Sequence, residues 1–112
     1  MKPVKANNQE SNGEVMNVLT DIAGWHYDRN LVKGSTDKDQ FMKLTQEVGE
    51  LSDNICKGKD IRDDIGDIIT VLVNIAERNG LSIQECLLCA WDDIKDRKGV
   101  MRDGIFIKEN DL

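Results

Sequence analysis

The sequence predicts an all-α fold of the four-helix-bundle type that is completed by oligomerisation. Apolar residues recur at alternating spacings of three and four in four separate segments, which is typical of amphipathic helices. Hydrophobic residues make up 39% and charged residues 32% of the chain, with one proline and 4% aromatic residues, as expected for a helical globular domain. No segment alternates convincingly between apolar and polar residues, although GIFIKE near the C-terminus could be a short strand or an extended arm.

The 112 residues are long enough for one compact domain and too short for two. Residues 1–10 lack a periodic apolar pattern and are expected to be a flexible arm, residues 11–98 the helical domain, and residues 99–112 a C-terminal arm. The longest apolar run, residues 68–76, is too short for a membrane span, and the polar N-terminus lacks the apolar core of a signal peptide. We therefore expect a cytoplasmic protein without a membrane partner.

The first two predicted helices each begin at a polar capping pattern. Helix one is expected to start with a capping box of Ser11 and Glu14 and to end near Asp28. Its apolar residues are Val15, Val18, Leu19, Ile22 and Ala23. Helix two is expected from about Asp37, with Gln40 as the capping-box partner, up to the glycine of the next turn. Its apolar stripe consists of Phe41, Leu44, Val48, Leu51 and Ile55.

Helix three, from about Asp60 to Asn79, is apolar on more than one face. Its apolar residues are Ile61, Ile65, Ile68, Ile69, Val71, Leu72, Val73 and Ile75. We expect it to be the central and most buried helix, partly covered by a second subunit. Helix four begins with a capping box of Ser82 and Glu85 and ends in a basic cluster. Its inward residues are expected to be Ile83, Leu87, Leu88, Trp91 and Ile94.

The net charge of -6 argues against nucleic acid as a partner, because such binding needs a basic face. The three cysteines are an odd number, do not suggest a secreted disulfide framework, and are expected to be buried thiols. Cys86 and Cys89 form a C-x-x-C pair, but a zinc site needs about four ligands, and the only histidine, His26, is distant in sequence.

Four carboxylates lie beside apolar stripes, where simple solvation does not explain them. Glu47 and Glu50 lie three residues apart on helix two. Asp64 and Asp67 have the same spacing on helix three. If these helices pack antiparallel, the carboxylates meet, and their repulsion requires a cation. Oxygen ligation without nearby His or Cys indicates Mg²⁺ or Mn²⁺. From helix geometry alone, a solvated acidic seam at the bundle edge is an equally good interpretation.

Three segments, KLTQEVGEL, DDIGDII and IKDRKG, resemble the MazG-like branch of the all-α nucleoside triphosphate pyrophosphohydrolases, over roughly residues 40–100. That family has E-x-x-E followed after a short turn by E-x-x-D. Glu47, Glu50 and Asp67 match its metal-binding acids. Asp64 stands where the family usually has Glu, and Gln46 where many members have a second Glu.

The resemblance implies hydrolysis of a (deoxy)nucleoside triphosphate to the monophosphate and pyrophosphate by a homodimer or homotetramer. Mg²⁺, or Mn²⁺ in its place, would be held by the four acids, with Glu47 or Glu50 as catalytic base. Alternatives are a related specificity, for dUTP or phosphoribosyl-ATP, and a non-catalytic helical interaction module. A di-iron bundle is disfavoured because that chemistry needs Glu-x-x-His pairs.

Seven residues are candidate substrate contacts: Trp25, His26, Lys43, Asn74, Lys95, Arg97 and Lys98. The basic residues would contact phosphates, although Lys43 could instead pair with Glu47 and the other three could complement the helix dipole. Asn74 would bind a sugar or a water, or be a satisfied core residue. Trp25 and His26 would stack on or read a base. For Trp25, general burial tendencies favour the alternative that it caps the bundle.

Overall fold

A computed structural model describes the backbone of residues 9–112 and the side chains from residue 13 onward. This part of the chain contains four α-helices, a two-stranded hairpin and a short 3-10 helix: α1 (Gln9–Asp28), α2 (Asp37–Cys56), α3 (Arg62–Arg78), α4 (Ile83–Ile94), β1 (Gly99–Arg102), β2 (Ile105–Lys108) and η1 (Glu109–Asp111). This mostly helical architecture agrees with the expected all-α class, apart from the small two-stranded hairpin. No helix within residues 9–112 is long and apolar enough to cross a membrane.

The first helix starts earlier than its capping pattern predicted. It begins at Gln9, so Ser11 lies inside α1, and the prediction that Ser11 starts the helix is wrong. Gln9 and Glu10 are good helix formers, so the helix extends past Ser11 towards the N-terminus although Ser11 could act as a cap. The rest of the arm predicted for residues 1–10 lies outside the described residues.

At the starts of the other helices, the observed N-caps agree only in part with the predicted ones. Thr36 caps α2 by accepting a hydrogen bond from the Asp39 N–H at 3.1 Å. Gln40 donates to Ser35 Oγ at 2.9 Å, so its predicted capping role at Asp37 is wrong. Ser82 caps α4 as predicted, accepting from the Glu85 N–H at 3.1 Å. The helix α3 begins at Arg62, two residues later than predicted.

Helix α3 is the central element, because it packs against α1, α2 and α4. A small core is formed where Leu19 of α1 and Ile83 of α4 meet Val73 of α3. Val73 and Asn74 are completely buried. This centre positions the rest of α3 against α2, and the α2–α3 contact carries the candidate site.

Many apolar residues that periodicity assigned to the core are exposed in a single chain. Trp91 is 57% exposed, so its prediction as a core residue is wrong for the isolated chain. The same holds for the thiols of Cys56 and Cys89, which are exposed. Other exposed members of the predicted stripes are Val15, Val18, Phe41, Val48, Ile55, Ile65, Leu72, Leu87, Leu88 and Ile94. Helical periodicity identifies an apolar face but does not identify what covers it.

Residues 99–108 form an antiparallel hairpin. Val100 pairs with Ile107 and Met101 with Phe106. Asp103 and Gly104 have φ values of 52° and 80°, as the tight turns of two-residue hairpins require. The segment GIFIKE therefore contains a strand, β2, whereas its partner β1 was not predicted.

Candidate metal centre

The turn after α2 reverses the chain and brings acidic residues of α2 and α3 together. Glu47, Glu50 and Asp67 each offer one carboxylate oxygen, and these oxygens all lie within 4.8 Å of one another. Helical spacing places the two glutamates on one face of α2. We call Glu47, Glu50 and Asp67 the acidic trio. Its members differ in environment, since Glu47 is buried, Asp67 is half-buried and Glu50 is exposed.

Glu47 has an unsatisfied buried oxygen. Its Oε1 forms an ion pair with Lys43 Nζ at a distance of 3.0 Å. Its Oε2 is buried and has no hydrogen-bond partner among the described residues. Leaving such an acceptor unsatisfied costs about 1–3 kcal/mol, and more for a charged group. A ligand with positive charge or a donor at this point would remove that penalty.

The surroundings of the trio disfavour the ionised carboxylates of Glu50 and Asp67. Repulsion by Glu47 is the main cause that raises the pKa of Glu50, and burial adds a smaller effect. Burial is the main cause that raises the pKa of Asp67, and Asp63, Glu47 and Asp64 add repulsion. Lys43 opposes both shifts of pKa but does not cancel them. A divalent cation would reverse this balance by favouring the ionised carboxylates.

Asp64, the fourth predicted acid, lies beside the trio rather than within it. Its carboxylate is buried, and both oxygens accept hydrogen bonds from Asn54 Nδ2, at 3.1 and 2.9 Å. The charge of Asp64 contributes to the raised pKa values of Glu50 and Asp67, so it lies within electrostatic range of them. Sequence reasoning missed Asn54, although its position four residues after Glu50 on the same helix face was a usable signal.

Asn74 and His26 form a buried hydrogen-bond network. Asn74 Nδ2 donates to Leu31 O at 3.0 Å and to His26 Nδ1 at 3.2 Å. His26 Nε2 donates to Thr70 O at 2.9 Å, which defines the tautomer of the ring. Both ring nitrogens are therefore engaged, and His26 is only 4% exposed. The hydrogen bonds of Asn74 Nδ2 agree with the interpretation of Asn74 as a satisfied core residue. Its Oδ1, however, is buried without a hydrogen-bond partner among the described residues.

Trp25 is the predicted base-stacking residue that remains accessible. It is exposed, packs edge-on against His26 at 5.2 Å, and carries the Arg29 guanidinium 4.3 Å from its ring centroid. The ring thus already has a cation on one side. No hydrogen bond or ion pair among the described side chains joins Trp25 to the acidic trio.

Two of the basic residues that follow α4 form ion pairs with acids in its last turn. Lys95 pairs with Asp92 at 3.1 Å, and Arg97 pairs with Asp93 at 2.6 Å. Lys98 is exposed and directly precedes β1, and its carbonyl accepts a hydrogen bond from the Glu109 N–H at 2.7 Å, which closes the open end of the hairpin. Within the described part of the chain, these residues form no ion pair with the trio.

Comparisons with known proteins find one similar phage protein. No family model matches the sequence, and no solved structure matches it. The chain is similar to an uncharacterized 18.2 kDa protein in the rep-hol intergenic region of Haemophilus phage HP1, with 41% identity over 68 residues. The match covers 59% of this chain and 42% of the relative, so the chain spans less than half of the relative's length. This likeness assigns neither a fold family nor an activity.

Proposed function

We propose that the protein is a cytoplasmic, MazG-like, Mg²⁺-dependent pyrophosphohydrolase that converts a (deoxy)nucleoside triphosphate to the monophosphate and pyrophosphate. The observation that carries the proposal is that one carboxylate oxygen from each of Glu47, Glu50 and Asp67 lies within 4.8 Å of the others, and that Glu47 Oε2 is buried without a hydrogen-bond partner among the described residues. The E-x-x-E and D-x-x-D segments that resemble the MazG-like family contain these residues.

The donor set fits a hard divalent cation. The trio offers only carboxylate oxygens, the ligands that Mg²⁺ and Mn²⁺ prefer. The unpartnered oxygen of Glu47 and the raised pKa values of Glu50 and Asp67 are both features that a bound cation would relieve. When bound, the cation would neutralise phosphate charge and activate water for attack.

The three acids have different roles in this proposal. Glu47, fixed by Lys43 on one side, is the rigid ligand, and Asp67 holds the cation from α3. Glu50 is exposed and is therefore best placed to accept a proton from the attacking water. Trp25 is the accessible candidate for stacking on the base.

We also propose that the active form is a homodimer or homotetramer. Exposed apolar side chains occur on each of the four α-helices, including Ile65, Ile69 and Leu72 of the central α3. Clusters of exposed apolar residues mark association surfaces. Light scattering at micromolar concentration is expected to give at least a dimer, and a monodisperse monomer would contradict this part of the proposal.

The same exposed surfaces favour a second candidate, a helical interaction module without catalytic activity. The two candidates differ in their response to Mg²⁺, because a cation that binds only the folded protein must raise its melting temperature. The pyrophosphohydrolase is expected to melt at a higher temperature with Mg²⁺, and an interaction module at the same temperature.

A substrate screen tests the activity itself. The purified protein is incubated with each common NTP and dNTP, with dUTP included and phosphoribosyl-ATP as a further substrate, and pyrophosphate release is measured with and without Mg²⁺. Glu50→Gln is the inactive control, and Asp21→Asn, at an exposed carboxylate of α1, is the matched control that should retain activity. Loss of activity in both variants, or activity in Glu50→Gln, would contradict the assignment of the site.

A further inference from the structure

We infer that Asn54 is a positioning residue that holds Asp64 as a fourth carboxylate of the metal centre. The inference rests on the proposed function, since it concerns the same cation. It assigns a role to a residue outside the acidic trio and explains why Asp64 is buried beside it.

The contact joins the two helices that build the site. Asn54 lies in the last turn of α2, four residues after Glu50, and Asp64 lies in the first turn of α3, three residues before Asp67. A single amide nitrogen donates to both carboxylate oxygens, at 3.1 and 2.9 Å. Three residues of helix correspond to about 4.5 Å along the axis, so Asp64 lies about one turn from Asp67.

Asn54 fixes the carboxylate without neutralising it. A carboxylate has about four lone-pair sites, and the amide uses two of them. The amide of Asn54 carries no charge, so its hydrogen bonds leave the negative charge of Asp64 available to a cation. A lysine or arginine in place of Asn54 would hold the carboxylate equally well but would cancel that charge.

A second feature indicates that a cation belongs here. Glu47 is 6% exposed, and its Oε2 has no partner among the described residues. A buried, unpaired oxygen in the same acidic group is not explained by a solvated seam, whose carboxylates would contact water. The Asn54–Asp64 contact therefore lies next to a group that lacks a ligand.

The competing explanation is that Asn54 only ties the ends of the helices together. The chain provides a matched control for this at the opposite ends of the same two helices. There Asn79 Nδ2 lies 3.4 Å from Asp37 Oδ1 and 2.8 Å from Ile75 O. Asn79→Ala thus removes another amide–carboxylate contact between α2 and α3, far along both helices from the trio.

The test is Mn²⁺ binding by calorimetry, with the metal alone and the full chain. Asn54→Ala is expected to weaken binding by about 10-fold or more, the usual effect of losing a partner of a metal ligand. Asn54→Leu, which keeps the side-chain volume without the donor, should do the same and guards against a folding defect in the alanine variant. Asn79→Ala should bind Mn²⁺ with an affinity within about twofold of the wild type, because substitutions at distant sites act independently.

A double-mutant cycle tests whether Asn54 acts through Asp64. In an Asp64→Asn background, adding Asn54→Ala should weaken Mn²⁺ binding no further, and additive losses would overturn the inference. Mn²⁺ binding that is lost in Glu50→Gln but unchanged in both Asn54 variants would overturn the inference alone. A wild type that binds Mn²⁺ no better than Glu50→Gln would overturn the proposed function and this inference together.

Discussion

Lys43 Nζ lies 3.0 Å from Glu47 Oε1, and this ion pair satisfies only one oxygen of a buried carboxylate. The other oxygen, Oε2, has no partner among the described residues. Lys43 therefore provides partial compensation in the metal-free protein and leaves one coordination position of Glu47 open. This arrangement connects folding stability directly to cation binding.

Lys43→Met is expected to destabilise the metal-free protein by about 1 kcal/mol, because the buried Glu47 loses its ion pair with Lys43, while Lys43 itself is largely exposed. Saturating Mg²⁺ should reduce the difference. Urea denaturation with and without Mg²⁺ measures both values. The control is Lys57→Met, which breaks an exposed pair with Asp53 on the same helix and should change stability by less than about 0.5 kcal/mol. Equal effects of the two variants would contradict a special role of Glu47.

Glu50→Gln and Asp67→Asn are expected to abolish Mg²⁺-dependent hydrolysis and to raise the melting temperature of the metal-free protein. Each change removes a ligand and also removes a charge from a site where repulsion and burial raise the pKa of the acid. Thermal melts in EDTA and pyrophosphate release in Mg²⁺ give the two measurements. Wild-type turnover in either variant would show that the trio is not the active site.

Asp64→Glu is expected to retain far more activity than Asp64→Asn, because the longer acid keeps the charge that offsets the cation. Mn²⁺ should support wild-type hydrolysis at least as well as Mg²⁺, since it is less strict in geometry. Hydrolysis rates of both variants with both metals test this. If the asparagine variant is as active as the glutamate variant, Asp64 contributes no charge to the site.

The metal-free protein is expected to gain stability as the pH falls from 7 towards the raised pKa values of Glu50 and Asp67. Their ordinary pKa values are 4.5 and 3.8, and folding raises both, so the native state binds more protons than the unfolded chain above these values. The native state therefore loses stability as the pH rises through the raised pKa values. Asp60, whose pKa Arg62 lowers to about 2, titrates below this window.

Urea denaturation at pH values from about 7 down to 4.5, the ordinary pKa of Glu50, measures the effect. Mg²⁺ should oppose the trend, because its ligands must be deprotonated. Glu50→Gln should have a shallower pH dependence than the wild type. A stability of the metal-free protein that increases with pH throughout this window would contradict the raised pKa values.

The fold was predictable wherever a local pattern alone decides the structure. Ser82 follows Leu81, which cannot cap a helix, and the cap of α4 was assigned correctly. Ahead of α2, three cap-forming residues occur in succession, and the cap proved to be Thr36 rather than Asp37. The hairpin was missed although Asp103-Gly104 is a strong turn signal, because β1 does not alternate between apolar and polar residues.

The site was predictable only in part because it depends on packing between helices. Spacing placed Glu47 and Glu50 on one face, and the antiparallel turn added Asp67. Spacing places Asn54 on the same face of α2 as Glu50, but it does not give the contact with Asp64, because that contact depends on how the two helices are rotated. Nor could the apolar period of α4 determine whether Trp91 is covered by its own chain or by another.

The central claim is tested most directly by identifying the reaction products. Phosphorus NMR of a mixture of NTPs and dNTPs, incubated with the full chain and Mg²⁺, is expected to show a monophosphate and pyrophosphate in equal amounts. EDTA and Glu50→Gln should each prevent their formation, whereas Asp21→Asn should not. Release of orthophosphate and a diphosphate, or no hydrolysis by folded protein in Mg²⁺, would contradict the account.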